Sequence, residues 1–371
     1  MKRLMMLSAL AFPLAGMTNF GGKAQAEDVK PATPAPAPKP KEVWTDSAAA
    51  DLPVDFKYQG EFVGEIEGGA KLAAQVIALN NGAFQAVLLP GGLPGAGWDG
   101  KNKIILDGTL AGDKATFKPA EGAKKYLAGP PTEFSATSKF PPEGQKPYTG
   151  EIAADVFSGK TDDGKSFKLT RTIRVSPTMG AKPPDGALVL FDGSSKDEWK
   201  GGRIDEKTKF LNTDGQDILS VKKFSNYTAH LEFMEPYRPS GRGQGRGNSG
   251  FYQIDLYEMQ ILDSFGLDGK NNEAGGIYTQ KEPLLNMALP PLQWQTYDVE
   301  FTNALVGPDG KKTQNAKFSA KFNGVVIHDN IELTGKTGGS RNEPEGTPGS
   351  LKLQGHGNPL QFRNIWVVEK K

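Results

Sequence analysis

Several features that often reveal a protein's function are missing from this sequence of 371 residues. It contains no cysteine, so disulfides, thiolate nucleophiles and cysteine-bound zinc are excluded. The formal net charge is +1, whereas a nucleic-acid-binding protein would show a basic stripe. After the N-terminus no run approaches the roughly 18 apolar residues that a membrane-spanning helix needs. Nucleic acid and a membrane span are therefore not predicted.

Glycine and proline are abundant, with 46 and 27 copies, while hydrophobic residues make up 37% of the chain. This composition is typical of many short strands joined by long turns rather than of helices. At roughly 100–200 residues per domain, the length predicts two domains and a tail. The oligomeric state does not follow from these properties.

The N-terminus has the pattern of a signal peptide. Lys2 and Arg3 precede a short apolar stretch, and Ala24-Gln25-Ala26 forms an A-x-A cleavage pattern. We predict a signal peptide over residues 1–26 and export to the periplasm or the extracellular space. A lipoprotein anchor would need a cysteine here. Residues 27–49 are rich in Pro and Ala and are predicted to be a linker.

Residues 50–177 are predicted to form a small all-β domain. Two strand-like runs flank Asn80-Asn81-Gly82, a strong hairpin signal, and residues 103–108 and 114–117 suggest a second strand pair. The glycine-rich stretch from Pro90 to Trp98 lacks the lysine and the helix of a phosphate-binding loop. No catalytic constellation is evident, so the role of this domain is open.

The second predicted domain, residues 186–369, also contains recurrent strand signals and no long amphipathic helix. Its clearest hairpin is centred on Asn323-Gly324, and Phe251–Leu262 alternates as a strand would. An all-β domain with this many strands must be a sandwich or a barrel, most simply a two-sheet jelly roll. The predicted fold class is therefore all-β, with this sandwich following the smaller N-terminal β domain.

Strand alternation identifies the candidate polar site. If Met259 and Ile261 face the core, Glu258 and Gln260 face the opposite side of the same strand. The same argument places His230 and Glu232 off the core, and also Gln354. The sequence alone does not align these strands.

The remaining candidates are less specific. His356 lies between two glycines, which suits either an exposed imidazole or a loop cap. His328 is predicted to lie at the surface, and His230 fits a site or a plain strand position equally well. Arg242 and Arg246 lie in a glycine-rich loop, where they could bind a carboxylate or sugar hydroxyls, or form a solvated mobile rim.

Residues 186–369 contain an ordered series of motifs, which includes Leu190-Phe191-Asp192-Gly193, the run from Tyr257 to Ser264, Gly275-Gly276-Ile277-Tyr278, Gln354 to Pro359, and Phe362-Arg363-Asn364-Ile365. This series resembles the 3-keto-disaccharide hydrolase domain family. The resemblance implies a concanavalin-like, laminin-G-like jelly roll that acts on glycosides oxidised to a ketone at sugar C3. It also implies C2 proton abstraction, elimination at C1 and hydration of the product. The N-terminal β domain resembles an extension of exported, planctomycete-type members.

The resemblance also implies roles for particular residues. Glu258 and His356 would form the base and acid pair, without either role being assigned. The implied substrate-binding residues are Gln260, Arg363, Tyr278, Arg246 and Gln354. No cofactor is certain, but a divalent cation could stabilise the enolate, with Glu258, Glu232 and His356 as candidate ligands.

Two further interpretations remain open at the sequence level. The domain could be a noncatalytic carbohydrate-binding module, because jelly rolls often only bind sugars. The chain could also be a cell-surface scaffold protein, which the linker and the additional β domain would suit. A carboxylate and a histidine in one pocket favour the enzyme, whereas a flat strip of aromatic residues would favour a binding module. A small carbohydrate is the expected partner of both the enzyme and the binding module.

Overall fold

The computed structural model describes residues 41–370. The predicted signal peptide and the first part of the predicted linker lie outside these residues. Within the described part of the chain, no helix has both the length and the apolar character needed to cross a bilayer. Residues 41–49 belong to the segment predicted as a linker, yet Trp44 is buried and forms a backbone bridge with Tyr237.

The first half of the described chain is a closed β-barrel preceded by one 3-10 turn, Val54–Lys57. The strands are β1 Gly60–Ile66, β2 Ala70–Ala78, β3 Ala83–Pro90, β4 Ile104–Ala111, β5 Lys114–Pro119, β6 Lys125–Tyr126, β7 Phe134–Ser135, β8 Thr149–Ala153, β9 Val156–Lys160 and β10 Ser166–Thr172. The barrel order is β1-β10-β9-β8-β5-β4-β3-β2, and β1 closes the barrel because it pairs with both β10 and β2. β6 and β7 form a separate parallel pair.

The barrel follows from strand alternation in the sequence. The hairpin predicted at Asn80-Asn81-Gly82 joins β2 and β3, and both asparagines adopt positive φ. Inward-facing aromatic side chains fill the barrel: Phe62, Phe84, Phe117, Phe157 and Phe167. Residues on the outer side of β2 and β3 are also apolar, because this face of the barrel is covered by the second half of the chain.

The second half is a sandwich of two antiparallel sheets, as predicted. Its strands are β11 Leu188–Phe191, β12 Trp199–Lys200, β13 Arg203–Ile204, β14 Leu211–Asn212, β15 Ile218–Phe224, β16 Tyr227–Met234, β17 Ser249–Gln253, β18 Tyr257–Ile261, β19 Trp294–Thr302, β20 Leu305–Val306, β21 Lys312–Gln314, β22 Ala316–Phe322, β23 Val325–Leu333, β24 Gly349–Leu353 and β25 Gln361–Glu369. The large sheet has the order β13-β14-β25-β16-β19-β22-β23, with β11 also paired to β25. The small sheet has the order β12-β15-β24-β17-β18, and β20 and β21 form a separate pair.

The sandwich core lies between these two sheets. Leu231 and Phe233 of the large sheet and Met259 and Ile261 of the small sheet belong to one buried cluster. The hairpin predicted at Asn323-Gly324 joins β22 and β23. The all-β fold class predicted from the sequence is therefore confirmed.

One strand prediction needs correction, because Phe251–Leu262 is a hairpin rather than a single strand. β17 and β18 pair around a tight turn in which Ile254 and Asp255 both adopt positive φ. Neither residue is glycine or asparagine, so the turn carried no signal in the sequence. The hairpin places Tyr252 directly opposite Glu258 and Gly250 opposite Gln260.

The barrel and the sandwich share an apolar interface. Ile77 and Val87 on the outer side of the barrel pack in one buried cluster with Phe265 and Leu267 of the sandwich. An ion pair of 2.8 Å between Lys103 and Asp268 borders this cluster. The described residues, 41–370, consequently form one compact unit.

Candidate active site

A cavity of about 220 Å³ lies on the outer face of the small sheet. Glu258 and Gln260 face it from β18, while the alternating neighbours Tyr257, Met259 and Ile261 face the core. Other walls come from the glycine-rich loop before β17, from the segments around Tyr278 and Gly338, and from the turn after β24. The full lining is Gln244, Asn248, Tyr252, Glu258, Gln260, Tyr278, Gly338, Gly339, Gln354 and His356.

Among residues 41–370, Glu258 is the only carboxylate that lines the cavity, and it is 3% exposed. Burial raises its pKa to about 7, against the opposing effects of a hydrogen bond from Tyr252 and the positive charge of Lys352. The carboxyl fits only because residue 250 is glycine. A Cβ at Gly250 would lie 2.5 Å from Oε1 of Glu258. The side chain is therefore held in one place with a pKa suited to proton transfer near neutral pH.

The protonation state of Glu258 determines which hydrogen bonds the hydroxyl of Tyr252 can make. Its oxygen lies 2.9 Å from Oε2 of Glu258 and 2.8 Å from the carbonyl oxygen of Gly338. One hydroxyl carries one proton, so it cannot donate to both oxygens at once. When Glu258 is protonated, its own proton can bridge to Tyr252 and both contacts become hydrogen bonds. When Glu258 is ionised, it competes with the carbonyl for the proton of Tyr252.

Lys352 supports this arrangement from β24. Its Nζ lies 3.8 Å from the centre of the Tyr252 ring and 2.7 Å from Oδ1 of Asp255. It also donates a hydrogen bond of 2.5 Å to the carbonyl oxygen of Gly339. This buried cation therefore fixes both the tyrosine and the segment that closes one side of the cavity.

Amide side chains line the wall beside Glu258. Oε1 of Gln244 accepts hydrogen bonds from Asn248 at 3.0 Å and from Gln260 at 3.1 Å. In this arrangement Oε1 of Gln260 and Oδ1 of Asn248 are buried and have no hydrogen-bond partner among the described residues. Buried polar atoms normally have partners, so this wall suits a ligand that donates hydrogen bonds, as hydroxyl groups do.

The structure brings together Glu258, His356, Gln260, Gln354 and Tyr278 of the residues singled out in the sequence. His356 is exposed at the edge of the cavity, and its imidazole makes no hydrogen bond to any described residue. Sequence reasoning missed Gln244, Asn248 and Tyr252. Tyr252 would have been found by recognising the β17–β18 hairpin, which pairs it with Glu258.

Comparison with known proteins agrees with the motif series. Residues 186–368 match the sequence profile of the family described as 3-keto-alpha-glucoside-1,2-lyase-like domain. The chain belongs to this family through these residues. The match supports a glycoside hydrolase-like function for the lyase-like domain, which includes every residue that lines the cavity.

Similar solved structures come from Parabacteroides distasonis ATCC 8503, each described as a "putative glycosyl hydrolase". One is 30% identical, with a TM-score of 0.47, and the alignment covers 50% of this chain and 85% of that chain. Another is 18% identical, with a TM-score of 0.38, covering 50% of this chain and 95% of that chain. No curated protein matches the chain.

Two arginines implied by the resemblance lie elsewhere in the structure. Arg246 is buried, with Nε 2.6 Å from Asp263 and Nη1 donating to the carbonyl oxygen of Ala78 in the barrel. Arg363 lies on the outer face of the large sheet, where Nε contacts Glu232 at 2.6 Å. Neither arginine lines the cavity of the lyase-like domain.

The candidate metal ligands do not form one coordination sphere. Glu232 is on β16 of the large sheet, where Asn364 and the backbone of Gly180 also donate to it. Glu258 and His356 belong to the cavity on the small sheet. Between residues 41 and 370, no group of three His, Asp or Glu side chains is placed to hold a metal ion. This donor set does not fit a protein-bound divalent cation.

The other two histidines are both buried. Nδ1 of His230 lies 2.6 Å from Asp298, and its ring stacks on Trp366. The prediction that His328 lies at the surface is wrong, because it is 1% exposed and its Nε2 lies 2.6 Å from the carbonyl oxygen of Gly275. The loop around Gly275 covers that end of β23, which the local sequence does not reveal.

Larger hollows lie along the barrel. One of about 1030 Å³ runs past β1 and β10, and one of about 790 Å³ lies beside residues 47–60. Glu65, Glu67 and Lys71 in the first are solvent-exposed. Of these three hollows in the described part of the chain, the small cavity of the lyase-like domain combines a buried carboxyl of raised pKa with amide groups, which is the usual mark of a functional site.

Proposed function

We propose that this protein cleaves glycosides whose sugar is oxidised to a ketone at C3. The observation that carries the proposal is the buried Glu258 carboxyl, whose pKa of about 7 lets it take up and release a proton near neutral pH. The family match supplies the substrate class.

The proposed reaction begins with removal of the hydrogen at C2. The neighbouring C3 ketone acidifies this C–H bond, so ionised Glu258 can take the proton. The electron pair of the broken C–H bond stays on the sugar and forms an enolate. The enolate then reforms the ketone as the C1–O bond breaks, and the aglycone oxygen departs with a proton from an acid. The sugar is left with a C1–C2 double bond. Addition of water to this bond, with OH at C1 and H at C2, gives the free 3-keto sugar.

We assign the base to Glu258 and the acid to His356. Glu258 is enclosed and oriented by Tyr252, as a base that must meet one particular C–H bond should be. His356 is at the exposed edge of the cavity, where an aglycone can leave into solvent. Gln260 and Gln354 would bind sugar oxygens, with Asn248 and Tyr278 beside them.

The size of the cavity favours recognition of a single sugar ring. Its volume of about 220 Å³ is below the roughly 300–1,000 Å³ of pockets that enclose drug-sized ligands. A disaccharide would therefore place one ring inside and the other outside. The glycone should be recognised more strictly than the aglycone.

The direct test uses an aryl 3-keto-glucoside and measures release of the phenol. The unoxidised aryl glucoside is the matched substrate control, because it lacks the ketone that acidifies C2. Glu258→Gln should lower kcat by about 10²–10⁴-fold, the usual contribution of a general base.

A second measurement separates the two proposed roles. Free 3-keto-glucose incubated in D₂O should exchange its C2 hydrogen in the presence of the wild type, as followed by proton NMR. Glu258→Gln should abolish this exchange, whereas His356→Gln should retain exchange and lose aglycone release. Binding of the sugar without exchange or cleavage by the wild type would instead favour a noncatalytic binding module.

We also propose export, supported by the basic residues Lys2 and Arg3, the apolar stretch and the A-x-A pattern that follow in the sequence. N-terminal sequencing of the protein recovered from a bacterial periplasm should begin at Glu27. Recovery in the cytoplasm with an intact N-terminus would contradict the proposal.

A further inference from the structure

The glycine-rich loop from Gly241 to Gly247 contacts the barrel on one side and the cavity on the other. Nη2 of Arg242 donates to the carbonyl oxygen of Leu79 at 2.9 Å, and Nη1 of Arg246 donates to that of Ala78 at 3.0 Å. These acceptors lie at the end of β2 and just beyond it. Between the two arginines, Gln244 turns to the cavity and bonds to Asn248 and Gln260.

A second loop of the sandwich is tied to both the barrel and Gln244. Asp268 accepts hydrogen bonds from Lys103 at 2.8 Å and from the backbone of Ser138 at 2.7 Å, both in the barrel half of the chain. Four residues beyond Asp268, the carbonyl oxygen of Asn272 accepts a hydrogen bond of 2.7 Å from Nε2 of Gln244. The barrel therefore contacts both loops that hold the Gln244 side chain.

We propose that the barrel positions the active site, with Arg242 as a positioning residue that acts on the substrate through Gln244. This inference rests on the proposed function for its kinetic effect. It gives the N-terminal barrel a role in catalysis without any barrel residue touching the substrate.

The physical reason lies in the composition of the loop. Four of the seven residues in Gly241-Arg242-Gly243-Gln244-Gly245-Arg246-Gly247 are glycine, so the isolated loop would have large backbone freedom. It has no apolar side chain with which to pack. The two arginines remove that freedom because each donates to a carbonyl of the rigid barrel, and Arg242 also lies over the Phe134 ring at 5.4 Å. Gln244 is thereby ordered before the substrate arrives, which lowers the entropic cost of binding.

The test is a double-mutant cycle of Arg242→Ala and Gln244→Ala. Each single variant should raise KM for the aryl 3-keto-glucoside by about fivefold to tenfold, the effect of one lost hydrogen bond, with kcat within about threefold of the wild type. The double variant should have the same KM as Gln244→Ala alone, since Arg242 acts through Gln244. Additive effects on KM would overturn the inference.

Hydrogen exchange supplies a readout that needs no activity. Backbone amides of residues 241–248 should exchange about tenfold faster in Arg242→Ala than in the wild type. Arg171→Ala is the matched control, because Arg171 also donates hydrogen bonds to backbone carbonyl oxygens, those of Lys57 and Gln59, but none of its hydrogen bonds reaches either loop. It should leave both KM and the exchange of amides 241–248 unchanged. If Arg171→Ala changed them as much as Arg242→Ala does, the effect would reflect general loosening of the barrel and the inference would be overturned.

The outcomes also distinguish this inference from the proposed function. If the wild type does not cleave the substrate, the proposed function fails. The double-mutant cycle is then carried out with the dissociation constant for 3-keto-glucose in place of KM. Unchanged exchange and unchanged affinity in Arg242→Ala would then overturn the inference as well. If Arg242→Ala does not fold, Arg242→Lys retains the charge but cannot reproduce the guanidinium fork, and the same loosening of the loop is expected.

Discussion

At the scale of single residues, Glu258 shows how burial prepares a carboxyl group for proton transfer. Burial of the charged form raises its pKa, and the hydrogen bond from Tyr252 and the positive charge of Lys352 partly offset this effect. The carboxyl changes charge near neutral pH, whereas an exposed glutamate would be fully ionised there. Its neighbours determine this property, since Glu258 and Gln260 are ordinary residues of an alternating strand.

The pH dependence of the reaction is the first prediction at this scale. A base must be ionised to accept the C2 proton, so the rate of enzyme-catalysed exchange at C2 should rise with pH and level off above about 7, the pKa of Glu258. The measurement is the pH profile of hydrogen exchange at C2 of 3-keto-glucose in D₂O, because this step does not need the acid. A profile that is already flat from pH 5 upward would exclude Glu258 as the base.

Substitution of Gly250 gives a second prediction. The Cβ of Gly250→Ala would lie 2.5 Å from Oε1 of Glu258, so the carboxyl must move. Misplacement of a catalytic group by about 1 Å can lower the rate about 10²-fold, and a loss of that order in kcat/KM is expected. Gly129→Ala is the control, since a Cβ there has open space. Full activity of Gly250→Ala would contradict this geometry.

At the scale of elements, the β17–β18 hairpin makes the site possible. Antiparallel pairing puts Tyr252 across from Glu258 and Gly250 across from Gln260, so one strand supplies the carboxyl and the other supplies its partner and its space. A continuous strand over the same residues could not fold Tyr252 back onto Glu258. The turn at Ile254 and Asp255 therefore matters as much as the alternation that it interrupts.

The large sheet provides a prediction about stability, through His230 and His328. Burial disfavours the charged form of His230, but hydrogen bonds with Asp298 and Glu232 outweigh it and raise its pKa. Its stabilising contribution should be complete below pH 6.5 and be lost as the pH rises through the higher pKa of the folded state. Burial lowers the pKa of His328, so the fold should lose stability as the pH falls below 6.5 and the unfolded chain takes up the proton.

The opposite pH dependences of the stability that His230 and His328 contribute can be measured by urea unfolding at pH 5.5 and 8.5. The loss of unfolding free energy caused by His230→Gln should be greater at pH 5.5, and that caused by His328→Gln greater at pH 8.5. Each variant is the control for the other, because both remove a buried imidazole. The same pH trend in both variants would contradict the assigned partners.

At the scale of the whole molecule, the barrel and the sandwich depend on each other. Phe265 and Leu267 of the sandwich are buried in the same cluster as Ile77 and Val87 of the barrel. Burying a large apolar side chain stabilises a fold by roughly 1.5–3 kcal/mol. Each half on its own would expose these apolar side chains to water and lose that stabilisation. The barrel is thus part of the folding unit that contains the lyase-like domain.

Removal of residues 41–177 should therefore lower the yield of soluble protein and promote aggregation. The full chain should unfold in one thermal transition, as measured by calorimetry. Lys103→Met, which removes the partner of Asp268 while leaving the apolar cluster, should lower Tm without producing a second transition. Two separate transitions in the wild type would contradict the dependence of one half on the other.

Much of the fold could be predicted because its signals are local. The Asn80–Gly82 and Asn323-Gly324 turns give φ-positive positions that define hairpins, and alternation placed Glu258 opposite Met259. The turn at Ile254 escaped prediction because tertiary packing, rather than a turn residue, holds it. His328 was misplaced because the loop that covers it comes from a distant part of the chain.

The sequence by itself determined the all-β fold class, the family of residues 186–368 and the face on which Glu258 lies, since each depends on local residue order. Tertiary structure decided which side chains share the cavity, and it separated Arg246, Arg363 and Glu232 from Glu258. It also raised the pKa of Glu258 and attached the glycine-rich loop to the barrel. These properties depend on contacts between residues far apart in the chain, which a single sequence does not align.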